Sequence, residues 1–307
     1  MCIKGFFVSV VLAATTFVSV TAQNVDLPIA VAQSRQQMTE NVDVLQLLRG
    51  KLSTAMTENG MGMADYSGII VSPQTTITNK NVVEGGMRNI YIYDVDLSLA
   101  VSQVITGTVF YSVNLTLRGE GYSKDGAIMA SIRNLSGNDK RLTTFFSEAR
   151  TRILNYYKSN TPNILTKAKT LANMQQFEEA IALLASYPET LPQYKTVAVA
   201  MENIYATYQR KACNDFLQKA KGAYALGDYE ESVQWLNEID MSSPCAKDAA
   251  KLAAQIKQSI KAEQAQLLSL YEKQMQSEAN IEKQRLQAIE NMATAYYKNQ
   301  PEYYFVF

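Results

Sequence analysis

Glycine is concentrated in the first half of this 307-residue chain, and its distribution limits what each half can fold into. Eleven of the 14 glycines lie between Gly50 and Gly137, and only Gly222 and Gly227 follow. Glycine-rich sequence with alternating apolar residues favours strands and tight turns, whereas a long glycine-poor remainder favours helices. We therefore expect an α+β N-terminal domain, with an antiparallel-rich sheet covered by helices, followed by an all-α region.

The clearest local pattern predicts two neighbouring strands. Apolar residues occupy alternate positions from Tyr91 to Val101 and again from Val109 to Leu117, with polar residues between them. This period of two is typical of half-buried strands. Thr106 and Gly107 lie between the two runs. An antiparallel hairpin is therefore the simplest interpretation.

Helices and a further strand complete the expected domain, which we assign to residues 39–159. Residues 23–38 before it are polar enough to predict a flexible lead-in. Apolar residues at three- and four-residue steps predict helices, and a proline ends a strand run. The expected elements are a helix from Val42 to Met56, a strand from Tyr66 to Val71 that Pro73 halts, a helix capped by Ser123, and a helix from about Leu142 to Tyr157.

Residues 160–245 contain an internal repeat with a constant offset of 52 residues. The matching residues are Ala168, Phe177, Ala180 and Leu184 in the first copy, and Ala220, Tyr229, Ser232 and Leu236 in the second. The second copy, which begins Leu226-Gly227-Asp228 and continues to Trp235, resembles a tetratricopeptide repeat. In that motif small residues let paired helices approach, and an aromatic residue packs between them. The resemblance implies a degenerate helical repeat region that binds proteins.

Two of the three cysteines, Cys213 and Cys245, lie after the first 22 residues, which are interpreted below as a signal peptide that is removed. In an exported protein an even pair predicts a disulfide, and two unrelated buried thiols are the alternative. The repeat places Cys213 within one helix and Cys245 where the next helix begins, and neighbouring helices of a repeat lie side by side. A bridge there would stabilise the fold by about 3–4 kcal/mol.

The C-terminal part of the chain predicts a long helical segment and an aromatic tail. The 56 residues between Pro244 and Pro301 contain neither glycine nor proline. Residues 246–300 are therefore expected to form one long helix or a helical hairpin, which could also serve self-association. Residues 301–307 are apolar and aromatic, so they must be buried, paired as a strand, or used on a partner.

The first 22 residues have the pattern of a signal peptide. Lys4 is followed by the 15-residue apolar stretch Phe6–Val20 and by small residues that end at Ala22. The stretch is shorter than the roughly 20 residues that span a bilayer. We expect cleavage before Gln23 and export to the periplasm, the outer membrane or the medium. A buried N-terminal strand or an uncleaved anchor is the alternative.

Composition excludes several classes of function. The 29 basic and 29 acidic side chains cancel, so no basic surface for nucleic acid is predicted. The chain has no histidine, which removes imidazole-based triads and the common zinc motifs. No phosphate-binding glycine loop is present either. We expect no cofactor, no metal and no enzyme activity.

Paired carboxylates are the remaining catalytic option. Asp94 and Asp96 project from one face of the predicted strand, about 7 Å apart, as in glycosidases. The same alternation predicts that they are simply its solvent face. A carboxylate-dependent hydrolase is therefore the least favoured hypothesis.

Aromatic residues are the candidates for partner binding, because exposed tyrosines and tryptophans are common at interfaces. The candidates are Tyr224, Tyr229 and Trp235 in the repeats, and Tyr303, Tyr304, Phe305 and Phe307 in the tail.

The order of elements from Asp96 to Leu135 has a counterpart in known families. Two strands around Thr106-Gly107 are followed by Gly119-Glu120-Gly121-Tyr122-Ser123 and a helix that carries Ala127 and Ala130. Over about 120 residues, Thr39 to Tyr157, this is similar to the periplasmic α/β domain shared by the curli secretion channel lipoprotein, the activators of penicillin-binding proteins and the TolB amino-terminal domain. The chain lacks their lipid-acceptor cysteine. The resemblance implies a non-catalytic domain that binds or oligomerises in the Gram-negative envelope.

Together these patterns favour a non-catalytic scaffold or assembly factor of the cell envelope that binds protein partners. The alternative is a surface or secreted protein that binds glycan or peptidoglycan through the exposed sheet and its tyrosines.

Overall fold

The computed structural model describes residues 27–34, 42–85, 87–259, 269 and 281–306. The predicted leader and Phe307 lie outside this part. The strands are β1 (Pro28–Ser34), β2 (Gly62–Ala64), β3 (Ile69–Glu84), β4 (Asn89–Gln103), β5 (Val109–Gly121) and β6 (Tyr303–Phe305). The helices are α1 (Val42–Glu58), α2 (Lys124–Asn134), α3 (Lys140–Asn173), α4 (Phe177–Ala185), α5 (Tyr194–Ala225), α6 (Tyr229–Asn237), α7 (Ala246–Ser259) and α8 (Ile281–Lys298). The predicted α+β region followed by helices is confirmed.

One mixed sheet has the strand order β2-β1-β3-β4-β5, and β6 also pairs with β1. β1 is parallel to β2 and to β3, and its last residues run antiparallel to β6. β3, β4 and β5 form an antiparallel meander. The predicted β4–β5 hairpin is confirmed, and its turn contains Gly107 at φ +66°.

The helices pack on one face of the sheet. Val95, Leu97, Leu99 and Val101 of β4 are fully buried, whereas the residues that alternate with them are half-buried. Ser123 caps α2, as predicted, by accepting from the amide of Gly126. A Cβ at Gly119 would collide with the backbone of α2, so glycine permits this close packing. The opposite face of β3, β4 and β5 is polar and open.

The flexible lead-in predicted for residues 23–38 is wrong where the structure describes it. β1 lies inside the sheet, and Ile29, Ala30, Val31 and Ala32 are fully buried. The strand is short and its partners are distant in the chain, so no local alternation or turn marks it.

The expected strand end at Pro73 is also wrong, because β3 continues to Glu84. The N–H and C=O of one strand residue point to the same side, and the Pro73 carbonyl accepts from Gln33 of β1 at 3.0 Å. The side of Pro73 that lacks an N–H therefore faces β1. The backbone pairing of β1 with β3 has already ended there, because its last pair is Val31 and Val71. The proline costs the sheet no hydrogen bond.

The helical region is continuous with the sheet domain. α3 crosses residues 159 and 160 without a break, with Pro162 inside it, so no chain interruption marks the predicted boundary. One hydrophobic core extends from the sheet through α3, α4, the first half of α5 and α8. A second core joins the last part of α5 to α6 and α7.

The expected helical segment over residues 246–300 is described at both ends, as α7 and α8. α8 packs against α4, where the Tyr297 hydroxyl donates to the Ala182 carbonyl. The tail then pairs with β1, which is one of the three arrangements expected for it. None of the helices in the described ranges has the length and apolar character needed to cross a membrane.

Candidate functional site

Cys213 and Cys245 meet in the second core. Their sulfur atoms lie at disulfide-bonding distance, with the Cα atoms 6.0 Å apart. Cys213 lies within α5, and Cys245 immediately precedes α7. The predicted pairing across neighbouring helices is confirmed, and it fastens the start of α7 to the middle of α5.

The repeat is visible as two matching helical units. α4 and α6 each have 9 residues and begin 52 residues apart, and α5 and α7 begin at the same offset. In the second unit Ala220 and Ser232 are fully buried, and the Ser232 hydroxyl donates to the Ala220 carbonyl at 2.8 Å. Small residues at these positions let the paired helices approach closely.

Four aromatic side chains of α5 and α6, which we call the aromatic strip, are half-buried beside the second core. They are Phe216, Tyr224, Tyr229 and Trp235. Trp235 stacks on Phe216 with 6.0 Å between ring centroids, and Tyr224 contacts Tyr229 at 5.7 Å. The strip consists of two contacting ring pairs that are partly exposed at the surface of the second unit.

Polar groups hold the indole of Trp235 in place. The Lys219 ammonium lies 4.1 Å from its ring centroid, and its Nε1 donates to Glu231 at 3.2 Å. Of the strip, Tyr224, Tyr229 and Trp235 were predicted from the sequence. Phe216 was missed because no local pattern shows that it stacks on Trp235 of the next helix.

The tail residues are divided between core and surface. Phe305 is buried and packs edge-to-face on Tyr66 with 5.2 Å between centroids, so its prediction as a partner-binding residue is wrong in this fold. Pairing with β1 turns its ring into the core. Tyr303 and Tyr304 are half-buried. Burial raises the pKa of Tyr303, and the nearby charge of Glu302 adds to the effect.

Asp94 and Asp96 take part in cross-strand contacts on the open face of the sheet. Asp94 accepts from Asn79 at 3.1 Å and lies 3.9 Å from the Arg118 guanidinium. Asp96 accepts from the Thr116 hydroxyl at 2.7 Å. The contacts fit the interpretation of these carboxylates as a polar strand face.

A buried polar network joins the sheet to the helices. The hydroxyl of Tyr157 lies 2.9 Å from that of Ser186, which is also within 3.4 Å of Gln103 in β4. Burial raises the pKa of Tyr157 and of Tyr297, so both phenols stay neutral over the physiological range. The network therefore connects β4 to α3 and to Ser186 at the end of α4.

A concave region of about 300 Å³ lies on the open face of the sheet, and we call it the sheet groove. Its floor includes Ser72 of β3, Ser98 of β4 and Ser112 of β5, and Gln33 and Tyr303 also line it. None of the described lining residues is charged. The groove draws on five strands of the sheet, and no sequence pattern predicted it.

A second concave region of about 350 Å³ lies at the start of α4. Its lining combines Phe177, Tyr208 and Tyr296 with Glu178 and Glu179. Burial and the neighbouring glutamates raise the pKa of both tyrosines. Within the described ranges no group of three or more acidic or cysteine residues is arranged to hold a metal ion.

No family model, curated protein or solved structure matches this chain.

Proposed function

We propose that this protein is a non-catalytic, exported scaffold or assembly factor of the cell envelope, and that its helical part binds a protein partner. The observation that carries the proposal is the aromatic strip on the outside of the second helical unit. Half-buried tryptophan and tyrosine rings held by neighbouring charges have the composition of interface hot spots.

The two helical units are interpreted as degenerate tetratricopeptide-like repeats. The shared offset of α4 and α6 supports this, as do the small buried residues Ala220 and Ser232 where the helices pair. Repeats of this kind present extended surfaces to protein ligands, and two units require support from neighbouring structure. The first core supplies that support, because it runs from the sheet into the first unit.

Export from the cytoplasm is proposed from the leader pattern and the cysteine pair. A disulfide persists in the periplasm or outside the cell, where thiols are oxidised. The resemblance of residues 39–157 to periplasmic α/β domains points to the same compartment. The pairing of Cys213 with Cys245 would stiffen the unit that carries the aromatic strip.

A non-catalytic role is favoured over a carboxylate hydrolase. Asp94 and Asp96 each have cross-strand partners on an open face, and the Arg118 guanidinium lies 3.9 Å from Asp94. Replacing both aspartates by asparagine keeps the shape of this face. We expect the double variant Asp94→Asn/Asp96→Asn to retain partner capture in full.

The test is in-cell crosslinking followed by affinity capture from solubilised envelopes, with matched variants. We expect one defined envelope protein with the unmodified chain, and recovery about tenfold lower with Trp235→Ala, because interface tryptophans contribute most of the binding free energy. Tyr122→Ala is the control, since Tyr122 is a 70 % exposed aromatic residue that lies just before α2. Circular dichroism and melting temperature establish that both variants fold.

Two results would contradict the proposal. One is equal recovery of the partner with Trp235→Ala and Tyr122→Ala. The other is recovery of the bait alone with the unmodified chain.

A further inference from the structure

We propose that two copies of this chain associate through the outer part of β3, residues 79–84, which pair with each other as antiparallel strands. We call this segment the β3 edge. The inference goes beyond the proposed function, because it concerns the sheet and does not depend on the helical region binding a partner.

The β3 edge is open on one side. Each of its residues is exposed, although β4 pairs with it along its whole length. On the side away from β4, the only other described strand that pairs with β3 is β1, and that pairing ends at Val71. Beyond this point β3 therefore presents backbone N–H and C=O groups to which no described strand is bonded. An edge of this kind is a template for pairing with another strand.

The register of β3 determines which residues can bond outward. The Pro73 carbonyl accepts from a side chain of β1, so it points away from β4. Backbone groups of alternate residues point to the same side, and the bulge that follows Ile77 adds one residue to β3. The outward positions therefore change from odd to even numbers. In the β3 edge they are Lys80, Val82 and Glu84.

These three positions are self-complementary. An antiparallel pair centred on Val82 places Lys80 of each copy opposite Glu84 of the other copy. The three facing positions can exchange about six backbone hydrogen bonds. Opposite charges directly across two strands are stabilising, and like charges are destabilising. A pair centred on Lys80 would bring two lysines together, so charge selects the register centred on Val82.

Lys80 and Glu84 are available for this contact. Both side chains are exposed, and neither takes part in an ion pair among the described residues. Val82 between them is 49 % exposed. It lies on the same face of the sheet as its cross-strand neighbour Tyr91, which is half-buried. Pairing would therefore also remove apolar surface from water at the centre of the contact.

The occupant inferred for the β3 edge is a second copy, and the reason is Lys80. A lysine on an edge strand and a bulge beside it both hinder pairing with unrelated strands. In the pair of two copies, Glu84 lies opposite the lysine and compensates its charge. An unrelated strand pairs equally well only if it supplies a carboxylate at the matching position.

The first experiment measures self-association of the whole protein by sedimentation equilibrium over a concentration series. We expect a reversible dimer. Lys80→Glu and Glu84→Lys should each weaken it by about tenfold or more, because each change places like charges opposite each other at both ends of the pair. Lys195→Glu is the matched control, an exposed lysine of α5 with the same change of charge, and should alter the dissociation constant by less than about twofold.

Mixing the two single variants tests the contact itself. A Lys80→Glu copy and a Glu84→Lys copy place opposite charges across the pair again, so an equimolar mixture should associate about as tightly as the unmodified protein. The double variant Lys80→Glu/Glu84→Lys should do the same. Circular dichroism establishes that each variant folds.

A second experiment locates the twofold axis. Val82→Cys, in a Cys2→Ser background, places two thiols within reach of a short bismaleimide, since facing Cα atoms lie about 5.5 Å apart. Thr76→Cys is the control on the same strand, where the two thiols are about 40 Å apart. Dimers should be crosslinked efficiently only through Val82→Cys.

The proposal is overturned if the protein stays monomeric up to about 1 mM. It is equally overturned if Lys80→Glu associates as tightly as Lys195→Glu, if mixing the single variants restores nothing, or if Thr76→Cys is crosslinked as efficiently as Val82→Cys. Capture of a different protein on the β3 edge by a monomeric chain would assign the edge to that partner and would likewise overturn it.

Discussion

Gln175 and Gly227 occupy equivalent positions in the two helical units. Each lies two residues before the first residue of a helix, α4 for Gln175 and α6 for Gly227. Both have positive φ, 63° for Gln175 and 78° for Gly227. Glycine adopts this left-handed conformation without steric cost, whereas a residue with a Cβ is strained. The first unit therefore carries backbone strain that the second unit avoids, at the edge of the concave region beside α4.

Exchanging the residues at these two positions should have opposite effects. Gln175→Gly should raise the free energy of unfolding by about 1 kcal/mol, because the release of strain exceeds the added entropy of the unfolded chain. Gly227→Gln should lower it by about 1 kcal/mol, since a Cβ at Gly227 meets nothing within 4 Å and strain alone remains. Urea denaturation measures both. Two changes of the same sign would show that φ does not control stability here.

At the scale of the element, the disulfide determines how firmly α7 is held. The closed loop joins residues that are 32 positions apart, for which the chain-entropy model gives about 3–4 kcal/mol. The double variant Cys213→Ser/Cys245→Ser should lose about that amount. Trp235 is the only tryptophan in the chain and lies beside this core, so its fluorescence reports the local transition.

Reduction of the unmodified protein is the control for this prediction. With dithiothreitol its Trp235 transition should move toward that of the serine variant, while the variant itself should not respond. If the unmodified protein gives the same transition and the same gel mobility with and without reductant, the bridge is absent in solution.

The tail strand β6 should contribute about as much to the free energy of unfolding as the disulfide does. Phe305→Ala should lower the free energy of unfolding by about 3–4 kcal/mol, because it removes a buried ring and leaves a cavity beside Tyr66. Tyr304→Ala is the matched control, since Tyr304 is adjacent in β6 but half-buried. Its loss should be clearly smaller in the same denaturation measurement by circular dichroism. Equal losses would contradict the assignment of Phe305 to the core.

At the scale of the whole molecule, α5 connects two cores. Its first half, with Val197 and Tyr205, belongs to the core that extends from the sheet. Its second half, with Cys213 and Leu217, belongs to the core shared with α6 and α7. A continuous 32-residue helix is about 48 Å long and transmits orientation along its length. Because α5 contributes to both cores, it connects the aromatic strip to the core that extends from the sheet.

The parts of this architecture that sequence reasoning predicts are those with a local period. Alternation from Tyr91 to Val101 marks β4, and the repeated spacing around Phe177 and Tyr229 marks the two helical units. Cys213 and Cys245 were paired correctly for the same reason, because the repeat places them on neighbouring helices.

The features that were missed depend on contacts between distant segments. β1 has a small apolar sequence, and only its pairing with β3 and β6 makes it a strand. Pro73 was misinterpreted because its missing N–H lies where the backbone pairing with β1 has ended. The sheet groove combines Gln33, Ser112 and Tyr303, which no single segment brings together.

The pairing of β6 with β1 has a consequence for the timing of folding. Ala32 and Ser34 find their last neighbours in Phe305 and Tyr303, which leave the ribosome about 270 residues later. The part of β1 that pairs with β6 therefore has an open edge until residues 303–305 have been made. Among the described strands β6 is the last to be made, so its pairing with β1 is the step that completes the sheet.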